Sequence, residues 1–152
     1  MQLLEVWLSP QEGNILQVII SHSPAGEARS NSLLPFRSEN KDWRNTIVKV
    51  LECQKQFNPD YFTQPGEIDW MRDVGIVDEE GQTLHPSYVK NIGQKLYESI
   101  FPPNSKVRQT LQTSLRFAEQ GPGHLHICLK FESQSFQQCC IADYPWELIH
   151  DG

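Results

Sequence analysis

Leu4-Glu5-Val6-Trp7-Leu8-Ser9 opens the chain, Pro10-Gln11-Glu12-Gly13-Asn14 interrupts it, and Ile15-Leu16-Gln17-Val18-Ile19-Ile20-Ser21 follows. In the first run Leu4, Val6 and Leu8 share one face, with Glu5, Trp7 and Ser9 on the other. That period of two predicts a half-buried strand. The interruption is turn chemistry. In the second run Leu16, Val18 and Ile20 share a face, so the three pieces read as an N-terminal β-hairpin.

Residues 22–38 hold Pro24, Gly26, Pro35 and several serines, and read as a loop with a short extended piece at Leu33-Leu34-Pro35-Phe36. Beyond it the period changes. Trp43, Ile47, Val50, Leu51, Gln54 and Phe57 follow helical spacing over 40–57, with Ser38 or Asn40 as cap and Pro59 as stop. A short helix is expected at Glu67 to Asp73. Pro86 starts another, ending at Ile100, with Val89, Ile92, Leu96 and Ile100 in one stripe and Gly93 allowing close packing. Pro102-Pro103 ends it. Asn104 or Ser105 begins a further helix carrying Val107, Leu111, Leu115 and Ala118, closed by Gly121-Pro122-Gly123 in the left-handed manner common at helix C-termini. Leu125, Ile127, Leu129 and Phe131 then alternate with His124, His126, Cys128 and Lys130, a further strand over 124–132. The fold class is α/β: a β-hairpin, three or more helices, and a strand leading to Tyr144-Pro145-Trp146-Glu147-Leu148. The organisation is 1–38, hairpin and loop, then 39–152, helices, strand and final segment, in one compact unit with the hairpin.

A chain of 152 residues can bury a core without disulfides or metals. Its formal charge of −6 argues against nucleic-acid binding by bulk charge. The densest basic stretch, Lys90, Lys95, Lys106, Arg108 and Arg116, is spread over two predicted helices and reads as solvated surface. No apolar run reaches the ~20 residues of a membrane span, and Met1-Gln2-Leu3-Leu4-Glu5 lacks the basic region of a secretory signal. Cys53, Cys128, Cys139 and Cys140 form no disulfide framework, so free thiols in a reducing cytoplasm are expected.

No arrangement of side chains carries a catalytic signature. His124, His126 and Cys128 share one strand face, yet lack a fourth ligand at a familiar spacing, so neither metal nor other cofactor is expected. Cys139 or Cys140 with His150 is the best of the thiol–imidazole pairings, while Cys53 and Cys128, in a helix and mid-strand, lie outside the loop settings where an exposed thiolate is expected. The glycines form no phosphate loop. Asp78-Glu79-Glu80 reads as a solvated turn. Pro145 suits the start of a helical turn, Trp146 reads as a folding anchor, and Glu147 is placed to accept from free N–H groups of that turn.

The order of these segments resembles a known family. Ile92-Gly93-Gln94-Lys95-Leu96-Tyr97-Glu98-Ser99-Ile100-Phe101-Pro102, the helix with Leu111 and Leu115, the alternating strand Leu125 to Phe131, and Tyr144-Pro145-Trp146-Glu147-Leu148-Ile149 are similar to the region in front of the protease core in CHAT-domain proteins. These are bacterial caspase-like proteins, related to caspases and separase, often attached to repeats or defence modules. The family's last motif reads LPWELLYD. Pro145, Trp146, Glu147 and Leu148 match it, Tyr144 replaces its Leu, and Ile149-His150-Asp151 stands for its end. The likeness covers roughly residues 85–152. The family's catalytic His and Cys both come well after this motif, beyond Gly152, so no catalytic residue carries over and the four matching residues carry over as a packing motif only.

The resemblance implies an incomplete front part of a caspase-like fold. It implies a non-catalytic segment or chain of a cysteine protease, supporting the catalytic part in cis or in trans and coupling it to a sensor or adaptor protein. Direct nucleic-acid or membrane contact is not expected. The alternative is a stand-alone adaptor that reuses the family's front part. A third reading is a small enzyme using Cys139 or Cys140, which selective alkylation near neutral pH would mark.

Overall fold

The computed structural model describes residues 2–38, 41–53, 56–121, 123–132 and 144–149. The fold is mixed α/β. Its strands are β1 (Gln2–Gln11), β2 (Ile15–His22), β3 (Ala28–Leu33), β4 (Arg37–Ser38), β5 (Lys41–Asp42) and β6 (Leu125–Phe131). Its helices are α1 (Arg44–Cys53), α2 (Glu67–Asp73), α3 (Tyr88–Ile100) and α4 (Lys106–Gln120). No helix among the described residues is long and apolar enough to cross a membrane. The chain divides into two compact units, Met1–Leu34 with Glu98–Tyr144 and Pro35–Tyr97 with Pro145–Gly152. The divisions fall at 34/35, within α3 at 97/98, and at 144/145.

The first unit holds a four-stranded sheet in the order β3-β2-β1-β6. β1 pairs antiparallel with β2, and β2 with β3, while β6 runs parallel to β1 with Leu4 beside Ile127 and Leu8 beside Phe131. Leu4, Val6, Leu8, Leu16, Val18 and Ile20 are fully buried. They form the face crossed by α4. Removing each from water is worth roughly 1.5–3 kcal/mol.

The hairpin forms as expected, with a later turn. Pro10 and Gln11 belong to β1, and the reversal is made by Glu12, Gly13 and Asn14, the last two at φ 74° and 62°. A proline is tolerated there because β6 reaches only Leu8, leaving that stretch of β1 paired on one side.

The loop expected over 22–38 contains β3, and of the extended piece expected at 33–36 only Leu33 is in a strand. Ser23 ties the preceding turn by accepting from Ala25 N–H and donating to Gly26 C=O. β3 lacks the apolar alternation of its neighbours. Its residues next to the core face are Ala28, Ser30 and Ser32, and Ser32 donates to the carbonyls of Leu16 and Ser99.

In α4 the Ser105 hydroxyl caps the helix by accepting from Arg108 N–H at 3.1 Å. Val107, Leu111 and Ala118 are buried as expected, but Leu115 is exposed and Ser114 takes its place inside. The helix ends differently from the left-handed cap expected. Gly121 is extended at φ −119°, and its N–H returns to Ala118 C=O.

The second unit gathers α1, α2 and the first turns of α3. α1 is shorter than expected. Asp42 serves its first turn by accepting from Arg44 N–H at 3.0 Å. Ser38 lies in β4, and Asn40 and Gln54 lie outside the described residues. Trp43, Ile47 and Val50 are buried, with Thr46 in place of Leu51, which is only half-buried. Trp43 stacks on Trp70 at 5.3 Å, and Phe36 meets Trp70 edge-on at 6.4 Å. Pro59 opens a short 3₁₀ turn to Tyr61, capped by Asn58. α2 occupies the expected residues. α3 starts at Tyr88, two residues past Pro86. Ile92, Leu96 and Ile100 of the expected stripe are buried and Val89 is exposed.

Among the described residues one carboxylate is fully buried. Glu67 accepts from the Thr46 hydroxyl and from Gln64 N–H at 3.2 Å, and pairs with Lys49 at 3.2 Å. These partners replace the water its carboxylate loses on burial.

Candidate interaction surface

The surface with the most distinctive chemistry is the seam between β1 and β6. Alternation places Glu5 and Trp7 of β1 on the face away from α4. The parallel register sets Cys128 and Lys130 beside them. Lys130 forms an ion pair with Glu5 and sits 5.2 Å above the Trp7 ring. The Ser21 hydroxyl adds a hydrogen bond to Glu5 at 3.0 Å. Ser21 can reach because the register slips between Glu5 and Val6, leaving it as the extra residue of a bulge. The Lys130 and Ser21 bonds hold the Glu5 carboxyl below its ordinary value, and the Glu5 carboxylate raises Lys130 above its own. At the end of the seam Ser9 donates to Glu132 and accepts from Gln11.

β6 is also the edge of the sheet among the described residues. On its core side Ile127 stands beside buried Leu4 yet is 47% exposed. The apolar face thus continues past the area that α4 covers. Among the described residues β6 thus ends the sheet with a charged outward face and an apolar inner face.

In the second unit Trp146–Leu148 form one 3₁₀ turn, preceded by Pro145. Leu148 N–H donates to Pro145 C=O and Ile149 N–H to Trp146 C=O, so backbone carbonyls close the turn. Trp146 is buried, Glu147 points to solvent and Leu148 is half-buried. Tyr144, assigned to the first unit, is buried too.

His124 and His126 are exposed and Cys128 is half-buried. No group of three His, Cys, Asp or Glu side chains among the described residues is arranged to hold a metal. Cys139, Cys140 and His150 lie outside the described residues. The Cys53 thiol is half-buried and donates to Val50 C=O in its own helix.

Asp78 does more than mark a solvated turn. Burial pushes its carboxyl up, but the N–H groups of Thr83, Gln82 and Gly81 and the Thr83 hydroxyl outweigh that and leave it lowered. Of the basic stretch, Arg108 uses its Nε to hold Phe101 C=O at 2.6 Å, a helix-end bond and not a phosphate contact.

Sequence reasoning missed the Glu5–Lys130 pair. Each residue was legible on the polar side of its strand, but their meeting depends on β6 joining β1 in parallel, which no local pattern encodes. No protein-family model, no curated protein and no solved structure matches the chain.

Proposed function

We propose that this chain is the non-catalytic front part of a bacterial CHAT-type caspase-like cysteine protease, acting in the cytoplasm. It supports the catalytic part, in cis or in trans, and couples it to a sensor or partner protein. The observation that carries this reading is the edge strand β6, parallel to β1, with Ile127 open on the apolar side. A sheet left in this state gains by adding a strand, and a parallel neighbour requires a crossover connection of a dozen or more residues. The buried Trp146 within Pro145-Trp146-Glu147-Leu148 agrees with the packing role that the resemblance gives this motif.

The test is the reading frame beyond the codon for Gly152. A frame that continues for ~150 residues, the length of about one domain, with a Gly-flanked His and a later Cys each after an apolar strand, supports the proposal. An immediate stop, with no neighbouring frame supplying that pair, sinks it and leaves the stand-alone adaptor as the better account.

A further inference from the structure

The opposite edge of the sheet has its own chemistry. Leu34 N–H donates to Asn14 C=O at 2.8 Å, which makes Asn14 and Leu34 a hydrogen-bonded pair of the β2–β3 ladder. Antiparallel pairs alternate, so Ser32, Ser30 and Ala28 bond to β2 while the N–H and C=O groups of Leu33, Asn31 and Arg29 face away from it. None of these outward groups has a hydrogen-bond partner among the described residues. The side chains of the same three residues are exposed, Leu33 at 70%. β3 therefore offers a row of free backbone groups with a cation near one end and an apolar side chain at the other.

The cation is reinforced. A depression of about 440 Å³ beside Arg29 is lined by Ile19, Ser21, Ala28 and Lys106, with Glu27 as the one carboxylate among its described lining residues. Neither Arg29 nor Lys106 has an ion-pair partner among the described residues. In a chain of net charge −6 this is a local positive excess.

We propose that β3 is a docking edge for an extended acidic segment of a partner protein, which adds antiparallel to β3. Main-chain bonds to Leu33, Asn31 and Arg29 supply affinity, and side chains on one face supply selectivity. In the antiparallel direction an apolar residue of the partner meets Leu33. An acidic residue four positions later meets Arg29 and Lys106. The charge excess is what selects this occupant over a second copy of the chain, which carries net negative charge overall but would bring another arginine to the edge. The proposal concerns β3 alone and stands or falls separately from the protease reading.

The full chain is titrated with a fluorescent peptide, Thr-Leu-Thr-Val-Thr-Glu-Thr, and with the same peptide carrying Lys in place of Glu. The acidic peptide is expected to bind, more weakly as salt rises. Arg29→Glu with Lys106→Glu should weaken it roughly fivefold, the scale of two exposed ion pairs, and reverse the preference between the peptides. Asn31→Pro removes an outward N–H while sparing the ladder to β2, and should abolish binding with the circular dichroism spectrum unchanged. Equal binding of the two peptides, no binding of either, or full binding by the Asn31→Pro variant overturns the proposal. So does self-association that Asn31→Pro disperses, since the occupant is then a second copy.

Discussion

Glu5 of β1 and Lys130 of β6 are joined by an ion pair across the parallel seam, with the Lys130 ammonium also over the Trp7 ring. The pair fastens an edge strand whose other side has no neighbour among the described residues. Lys130→Met keeps much of the apolar stem and removes the charge. Amide exchange in Leu129–Phe131 should then quicken severalfold while Val18, in the centre of the sheet, is unchanged. Equal rates in the variant and the parent would show that the pair does not hold β6.

The same pair sets a pH dependence. The folded-state carboxyls of Glu5 and Asp78 both lie below their ordinary values. Each therefore contributes stability that is present above its unfolded pKa and is lost as pH falls through the folded one. Acid below the ordinary value of 4.5 for Glu5 should loosen β6. Glu5→Gln should flatten that part of the stability profile, as followed by tryptophan fluorescence. An unchanged acid limb would remove Glu5 from the account.

Lys49 is the charge partner of fully buried Glu67. Lys49→Met leaves that carboxylate with the Thr46 and Gln64 donors alone. The expected cost is about 1.5–3 kcal/mol, the worth of a hydrogen bond to a charged group. Urea unfolding reads it directly, and an unshifted midpoint would contradict it.

Ser114 presents the opposite case. Its hydroxyl is buried and has no hydrogen-bond partner among the described residues. Ser114→Ala removes an unmet polar group and improves helix propensity. It should stabilise the protein by about 1 kcal/mol. A loss of stability would mean that the hydroxyl has a structural use.

Trp146 anchors the last described turn. Trp146→Ala should cost about 3–5 kcal/mol, with Trp146→Phe well below that. Thermal unfolding distinguishes them, and a neutral Trp146→Ala would show that the turn is only resting on the surface.

Where one face of an element is apolar and the other polar, the chain could be read directly. β1 and β2 alternate cleanly in burial and β6 alternates in residue type, and the cap of α4 is Ser105, one of the two residues the sequence offered. β3 was hidden because Ala28, Ser30 and Ser32 give no apolar rhythm, and its pairing is imposed by β2. Pro24 and Gly26 just after a clear strand were the available signal of a second hairpin. The exchange of Leu115 for Ser114 shows the limit of reading a helix face by size, since one step of rotation decides it. For the interaction surface, Glu5 and Lys130 were visible only as polar residues of their strands. Their meeting depends on β1 and β6, which are distant in sequence.

The sheet also imposes a schedule on biosynthesis. Ser9 and Glu132, which close the β1–β6 seam, are 123 residues apart. At 5–20 residues per second a ribosome needs roughly 6–25 s to span that gap. During this time the nascent hairpin carries the apolar face of Leu4, Val6 and Leu8 without α4 or β6. The whole of Pro35–Tyr97 is made inside the same interval. Chains stalled between Tyr97 and Lys106 should therefore bind hydrophobic-surface chaperones at the hairpin, and chains released past Glu132 should let go of them.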